Sequence, residues 1–228
     1  MKILVACEYS GAVRDAFIVR GHDAMSCDIL PSETPGPHYQ GDIRDVLNDS
    51  WDMMIAFPPC THLACSGARH FEKKRADGRQ AQGIALFMLV ANAPIHRIAI
   101  ENPVGIMSKV WRKPDQIIQP FYFGDEFQKT TCLWLKNLPP LQHAREDDWF
   151  AKKTHVHRGE MVTFASGKVI PKWYAEKRGD GHGRARTFPG ICEAMTNQWS
   201  LHPIVRRAID AESRSANSTG CTTQIAPV

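Results

Sequence analysis

Short apolar runs that stop at a polar or proline-bearing turn recur along this chain, and helix-like stretches separate several of them. Residues 2–7 (KILVAC), 22–27, 51–57, 97–100 and 131–135 read as buried strands, because they are apolar without a helical period. Helix-like stretches cover about 12–20, 80–93 and 188–199; Gly21 closes the first and Pro189-Gly190 opens the last. Strand, turn, helix and strand in repetition predict an α/β fold with a mostly parallel central sheet and helices on both faces. In such sheets ligands sit beyond the carboxyl ends of the strands. Glu8-Tyr9-Ser10-Gly11, Asp28, Asp42, Pro58-Pro59-Cys60 and Glu101-Asn102-Pro103 each follow a predicted strand directly. That shared placement constrains function more than any one of these motifs.

Cys60 carries the most chemistry. Two prolines before it stiffen the turn and remove two N–H donors. A thiol on a stiff turn at a strand end is held for attack, and a thiolate is a strong nucleophile near neutral pH. The alternative is a buried structural cysteine, a common fate of free thiols. Glu101 ends an apolar strand, where poor solvation raises a carboxyl pKa and suits the group to protonate or hydrogen-bond a ring nitrogen. It equally suits a loop cap or an ion pair with an arginine.

These residues resemble the motifs of the cytosine-C5 DNA methyltransferases, most closely their small phage-type variants. Pro58-Pro59-Cys60 is similar to the family's Pro-Pro-Cys nucleophile motif. Glu101-Asn102-Pro103 is similar to its Glu-Asn-Val motif, with Pro103 for valine, at a comparable separation. Asp28 resembles the acidic residue that holds the cofactor ribose, and Asp42-Ile43 the motif at the adenine. Glu8-Tyr9-Ser10-Gly11 lies where the family has its first cofactor loop. The resemblance covers roughly 2–140 and a patch near 184–199. It implies a Rossmann-like S-adenosylmethionine-dependent methyltransferase fold and DNA as partner. It also implies that Cys60 adds to cytosine C6 while Glu101 contacts N3, with Pro59 and Asn102 supporting. Cofactor contacts fall to Glu8, Tyr9, Ser10, Gly11, Asp28, Asp42, Ile43 and Pro58. A base inside duplex DNA must be flipped out to be reached.

The chain also departs from the family. The first loop holds one glycine, Gly11, where the family has more. The base-holding Gln-x-Arg-x-Arg motif survives only as Gln128-Lys129-Thr130, which leaves Gln128, Lys129, Arg184 and Arg186 as candidates for substrate contact. Between 141 and 183, the segment available for target recognition, eight Lys/Arg stand against six Asp/Glu, so sequence-specific DNA reading is weakly supported. Residues 69–79 (RHFEKKRADGR) hold five Lys/Arg against two Asp/Glu, which suits phosphate neutralisation or a solvated helix face. Methylation of a free pyrimidine nucleotide or of RNA therefore stays open, as does an inactive methyltransferase fold that binds nucleic acid or a protein. Cys60 with Cys65, and His155 with His157, lack the paired spacing of structural zinc, so no metal is expected. Trp173-Tyr174 and Trp199 suit base stacking or core packing.

The organisation follows from these limits. Residues 1–140 form the catalytic and cofactor-binding unit, 141–183 a reduced recognition insertion, 184–210 the last part of the catalytic unit, and 211–228 a Ser/Thr/Asn-rich tail expected to be disordered. A net charge of +4 tolerates a polyanion without demanding one. Scattered cysteines, an N-terminus without a secretory pattern and the lack of a membrane-length apolar run predict a reduced, cytoplasmic protein.

Overall fold

The computed structural model describes residues 1–143, 154–177, 179–180, 183 and 186–200. Arg184 and the tail 211–228 lie outside the described residues. Seven strands form one sheet: β1 (Lys2–Ala6), β2 (Asp23–Asp28), β3 (His38–Gln40), β4 (Met53–Ala56), β5 (Arg97–Pro103), β6 (Gln116–Ile118) and β7 (Thr131–Lys136). Their order is β3-β2-β1-β4-β5-β7-β6. The pairs β2–β3, β1–β2, β1–β4 and β4–β5 are parallel, while β7 runs antiparallel to both β5 and β6. This is the expected Rossmann-like α/β fold with a mostly parallel sheet.

Side-chain alternation on the central strands builds two cores. Leu4, Ala6, Met54, Ala56, Ile98 and Ile100 face α3 (Arg79–Ala91), which seats Phe87 and Val90 on them. Ile3, Val5, Met53, Ile55 and Ala99 face the opposite layer, where α1 (Ala12–Val19) packs with the helix Pro189–Trp199. Both faces are covered, so these strands are apolar throughout rather than alternating. Gly21, at φ +77°, ends α1 as expected, and its N–H donates to Ile18 O at 2.8 Å.

Two further helices, α2 (Phe71–Ala76) and α4 (Met107–Val110), follow β4 and β5. A hairpin of β8 (Met161–Thr163) and β9 (Val169–Pro171) leads into α5 (Lys172–Glu176). The last of the described helices, α6 (Pro189–Trp199), has Pro189 in its first turn and the Asp125 carboxylate accepting from the Gly190 N–H at 2.8 Å. Trp199 on α6 is 1% exposed and its indole N–H donates to Pro139 O, which makes it a core residue rather than a stacking platform. Among the described residues no helix is long and apolar enough to cross a membrane.

Candidate active site

The strand order reverses between β1 and β4, the switch point where open α/β sheets bind ligands. A cavity of about 140 Å³ lies there, at the carboxyl ends of β1, β4 and β5. Cys7, Glu8, Tyr9 and Ser10 line it from β1, Phe57, Pro58, Pro59 and Cys60 from β4, and Glu101, Asn102 and Pro103 from β5. Lys129, Arg186 and Thr187 complete the wall. A larger groove of about 550 Å³ lies between α3 and the segment leading into β4, lined by residues such as Arg44, Leu47, Met88 and Leu89. It holds no nucleophile and no carboxyl group, so the smaller cavity is the candidate site.

The Cys60 turn is fixed mainly by backbone. Phe57 N–H donates to Ala6 O at 2.9 Å, which extends the β1–β4 ladder past its last paired residues. The N–H groups of Leu63 and Ala64 both donate to Cys60 O at 2.9 Å. Cys65 N–H donates to Val104 O at 2.9 Å, Ile106 N–H to Leu63 O at 3.0 Å, and Ala64 bridges Gly105. A Cβ on Gly105 would fall 2.4 Å from Leu63 O, so only glycine permits this approach. Asn102 is 2% exposed, and its side-chain amide donates to Pro58 O at 2.7 Å. Asn102 thereby ties the Glu101 strand end to the proline turn. Lys74 Nζ donates to Thr61 O at 2.5 Å.

The chemistry of the two cysteines at the cavity differs. Cys7, at φ +56°, lies where the chain turns sharply out of β1. Burial, and after it the Asp28 carboxylate, push its thiol up to about 12, so it stays protonated and inert. Cys60 is half-buried and opens onto the cavity. Burial raises the Glu101 carboxyl above its ordinary value, against the Lys129 ammonium and a hydrogen bond from the Thr131 hydroxyl. Glu8 is also raised by burial, against the Val13 amide, the Ser10 hydroxyl and Arg14.

The β2–β3 end of the crevice is built differently. Asp28 Oδ1 accepts from the Leu30 N–H at 2.9 Å. Asp42 caps a 3-10 turn by accepting from the Arg44 N–H at 2.9 Å, and its second oxygen pairs with the Arg44 guanidinium at 2.6 Å. Ile43 is buried in the α3-side core, so any ligand contact from it would run through its backbone. Gly11 has φ +77°, and a Cβ there would sit 2.1 Å from Thr34 Oγ1. Nothing in the sequence reading singled out Arg14, yet it organises this region. Its side chain is fully buried, pairs with Asp15 at 2.7 Å, and donates to Ser26, Ser32, Thr34 and the Pro35 carbonyl. An arginine spaced along a helix offers no signal of that role. The loop it holds carries Glu33, whose carboxylate pairs with Arg186 at 2.6 Å.

The remaining candidates divide. Lys129 reaches the cavity, and its ammonium lies 5.8 Å from the Phe188 ring centroid. Gln128 is not among the cavity residues; its backbone carbonyl accepts from the Trp173 indole at 3.2 Å. Trp173 packs edge-on against Phe127, Tyr174 and Phe188. The basic run 69–79 forms the end of a 3-10 turn and α2. Lys74 is turned inward there and Arg79 pairs with Asp77, while Arg69, Lys73 and Arg75 are exposed. His155 stacks on Tyr122 and hydrogen-bonds His143 at 2.7 Å, and His157 accepts from the Gly159 N–H. Among the described residues no group of three or more His, Cys, Asp or Glu is placed to hold a metal ion.

No family model matches the chain, and no curated protein matches it. Among solved structures it is similar to one described as a DNA modification methyltransferase encoded within a prophage (E. coli), at 16% identity and TM-score 0.40, over 59% of this chain and 46% of that one. It is also similar to the methyltransferase EhMeth of Entamoeba histolytica, at 14% identity and TM-score 0.44, over 78% of this chain and 65% of that one. The chain thus spans less than two thirds of the length of either structure. At this level of likeness the fold assignment rests on the strand order above.

Proposed function

We propose that this chain is an S-adenosylmethionine-dependent DNA cytosine-C5 methyltransferase with Cys60 as nucleophile. The observation that carries this reading is one cavity lined by the Pro58-Pro59-Cys60 turn from β4 and by Glu101 and Asn102 from β5. Two motifs distant in sequence are joined there by the Asn102–Pro58 hydrogen bond. The cavity volume of about 140 Å³ is close to that of an apolar cavity that takes up a benzene ring, about 150 Å³. One flipped heterocycle is therefore a reasonable occupant.

The roles follow from the chemistry. The Cys60 thiolate adds to C6 of cytosine, which makes C5 electron-rich. Glu101, raised by burial, holds a proton more readily than an exposed carboxyl and can donate it toward N3. Lys129 tempers that shift by favouring the ionised form. Asn102 keeps the nucleophile turn and the Glu101 strand end in register. S-adenosylmethionine, when bound, supplies the methyl group. Tyr9 and Ser10 at the β1 end, with Asp28 and Asp42 further along the crevice, are the residues that would hold it. The crevice at the switch point, lined by Tyr9 and Ser10, fits a polar nucleoside ligand, although the Ser10 hydroxyl already donates to Glu8 Oε1 at 2.8 Å. Asp42 fits it only if the Arg44 contact yields, because both of its oxygens are engaged. Arg69, Lys73 and Arg75 supply exposed positive charge close behind the nucleophile turn, suited to phosphates. Residues 141–183 serve as a reduced recognition segment in this reading.

Radiolabelled S-adenosylmethionine offered with duplex DNA, single-stranded DNA, RNA and deoxycytidine monophosphate tests the proposal. The expected result is label in 5-methylcytosine of DNA that Cys60→Ser abolishes. Label only in RNA or in the mononucleotide would reassign the substrate. Full transfer by Cys60→Ser would remove the mechanism.

A further inference from the structure

The cavity has a buried end and an open one. Asn102 lines it at 2% exposure, whereas Arg186 lines it and is exposed, so Arg186 stands at the rim. Lys129 belongs to the same wall: its ammonium lies 5.8 Å from the ring centroid of Phe188, two residues beyond Arg186. A nucleotide is a flat ring at one end and an anion at the other. With its ring inside, toward Cys60 and Glu101, its phosphate falls at the rim, where these cations stand.

The two cations are engaged differently. Lys129 lies near enough to the buried Glu101 carboxyl to favour its ionised form. Arg186 Nη2 instead donates to Glu33 Oε2 at 2.6 Å, across 153 residues of sequence. Glu33 stands on the loop that Arg14 holds through Ser32 and Thr34, and its own N–H donates to Tyr9 O at 2.8 Å. Tyr9 also lines the cavity, so the ion pair links two parts of the wall. Asp180 acts on Arg186 more weakly than Glu33 does, and it pairs with Lys177 at 3.5 Å. The Glu33–Arg186 pair is open to solvent, so it adds little to the fold and is readily exchanged. A guanidinium takes a phosphate as well as it takes a carboxylate.

We propose that Arg186 binds the phosphate of the target nucleotide at the cavity rim, and that Glu33 is the partner this phosphate displaces; this rests on the nucleotide substrate of the reading above. The phosphate is a diester in a DNA strand or a monoester in a free nucleotide. In either case one anion replaces another on the same guanidinium. Glu33 therefore competes with substrate, and the two members of the pair act in opposite directions. A fixed brace would make both substitutions act alike.

Binding of a short fluorescent oligothymidylate with one central deoxycytidine tests this. One form is wholly phosphodiester, and the other carries neutral methylphosphonates on both sides of the deoxycytidine. Arg186→Gln is expected to weaken binding of the charged strand about tenfold and to leave the neutral strand unchanged. Glu33→Gln is expected to tighten the charged strand by up to about fivefold, and the neutral strand not at all. Deoxycytidine monophosphate and deoxycytidine serve as competitors. A phosphate effect in the competitors alone assigns the monoester, and one in the strands alone assigns the diester. S-adenosylmethionine affinity and the urea midpoint stay close to wild type in both variants. Weaker binding of the charged strand in both variants overturns the inference, as do equal losses on the charged and neutral strands. A loss of S-adenosylmethionine affinity of about tenfold in Arg186→Gln also overturns it, since Arg186 would then hold the cofactor carboxylate. Wild-type protein that binds none of the probes overturns it together with the nucleic-acid substrate. Phosphate discrimination without methyl transfer by wild type fails the methyltransferase reading and leaves the inference standing.

Discussion

The two halves of the crevice are held together by different means. At the β4–β5 end, the turn carrying Cys60 is zipped to residues 102–106 by successive backbone hydrogen bonds, a bridge and one side-chain amide. At the β1–β2 end, one buried guanidinium, Arg14, gathers the loop that carries Ser32, Thr34 and Pro35. A backbone zipper spreads its stability over many bonds, so most side chains near it are replaceable. A buried cation concentrates it, so one substitution releases every acceptor at once.

The largest effect separates chemistry from architecture. Cys60→Ser is expected to lower methyl transfer by at least about 10³-fold, because the covalent step is lost. S-adenosylmethionine binding and the unfolding midpoint stay at wild-type values, as calorimetry and urea titration would read. Arg14→Met attacks the other half. It leaves Asp15, the serine and threonine hydroxyls and two carbonyls without their cation, at a cost of about 3 kcal/mol in urea unfolding. It weakens S-adenosylmethionine binding, measured by calorimetry, more than it slows turnover at saturation. The reverse pattern would show that the loop serves the nucleophile side.

Asn102→Ala probes the one side-chain bond of the zipper. A buried Pro58 carbonyl left without its donor costs about 2 kcal/mol, with turnover lowered and cofactor affinity kept. Glu101→Gln gives a pH signature. A carboxyl raised in the folded state contributes stability below its unfolded value, here about 4.5, and loses it as pH rises through the folded value. Urea midpoints of wild type and Glu101→Gln should therefore diverge above that pH, with the variant the more stable of the two. The smallest effect is Arg186→Ala. Its pair with Glu33 is largely exposed, with side-chain accessibilities of 58% and 35%, so no more than about 1 kcal/mol is lost, and less at high salt.

Legibility along the chain tracks how much of each element's stability is local. β1, α1, α3 and α6 were evident because apolar runs or a helical stripe with an end signal mark them. β3 and β6 have three residues each, too few for a periodic pattern, and they exist through pairing with β2 and β7. The 161–171 hairpin was hidden for the same reason, in a stretch of mixed polarity. Residues 71–76 read as a basic loop or a solvated helix face; they form a helix, anchored by Lys74 reaching back to Thr61 O. At the site, the strand-end positions of Glu8, Cys60 and Glu101 were visible in the sequence; the Arg14 cluster and the Gly105 approach were not.

Residue order alone specified the alternating strands and helices, and with them which polar residues stand at strand ends. That information is local: hydrophobic period, prolines and glycines bias the backbone wherever they occur. It could not say that Glu8, Cys60 and Glu101 line one cavity, that desolvation pushes the Cys7 thiol up to about 12, or that Asp42 is already paired. Those outcomes depend on strand order, register and burial, which arise when distant segments pack. Desolvation and pairing act through space, so the chemistry of these groups was settled by neighbours far away in the chain.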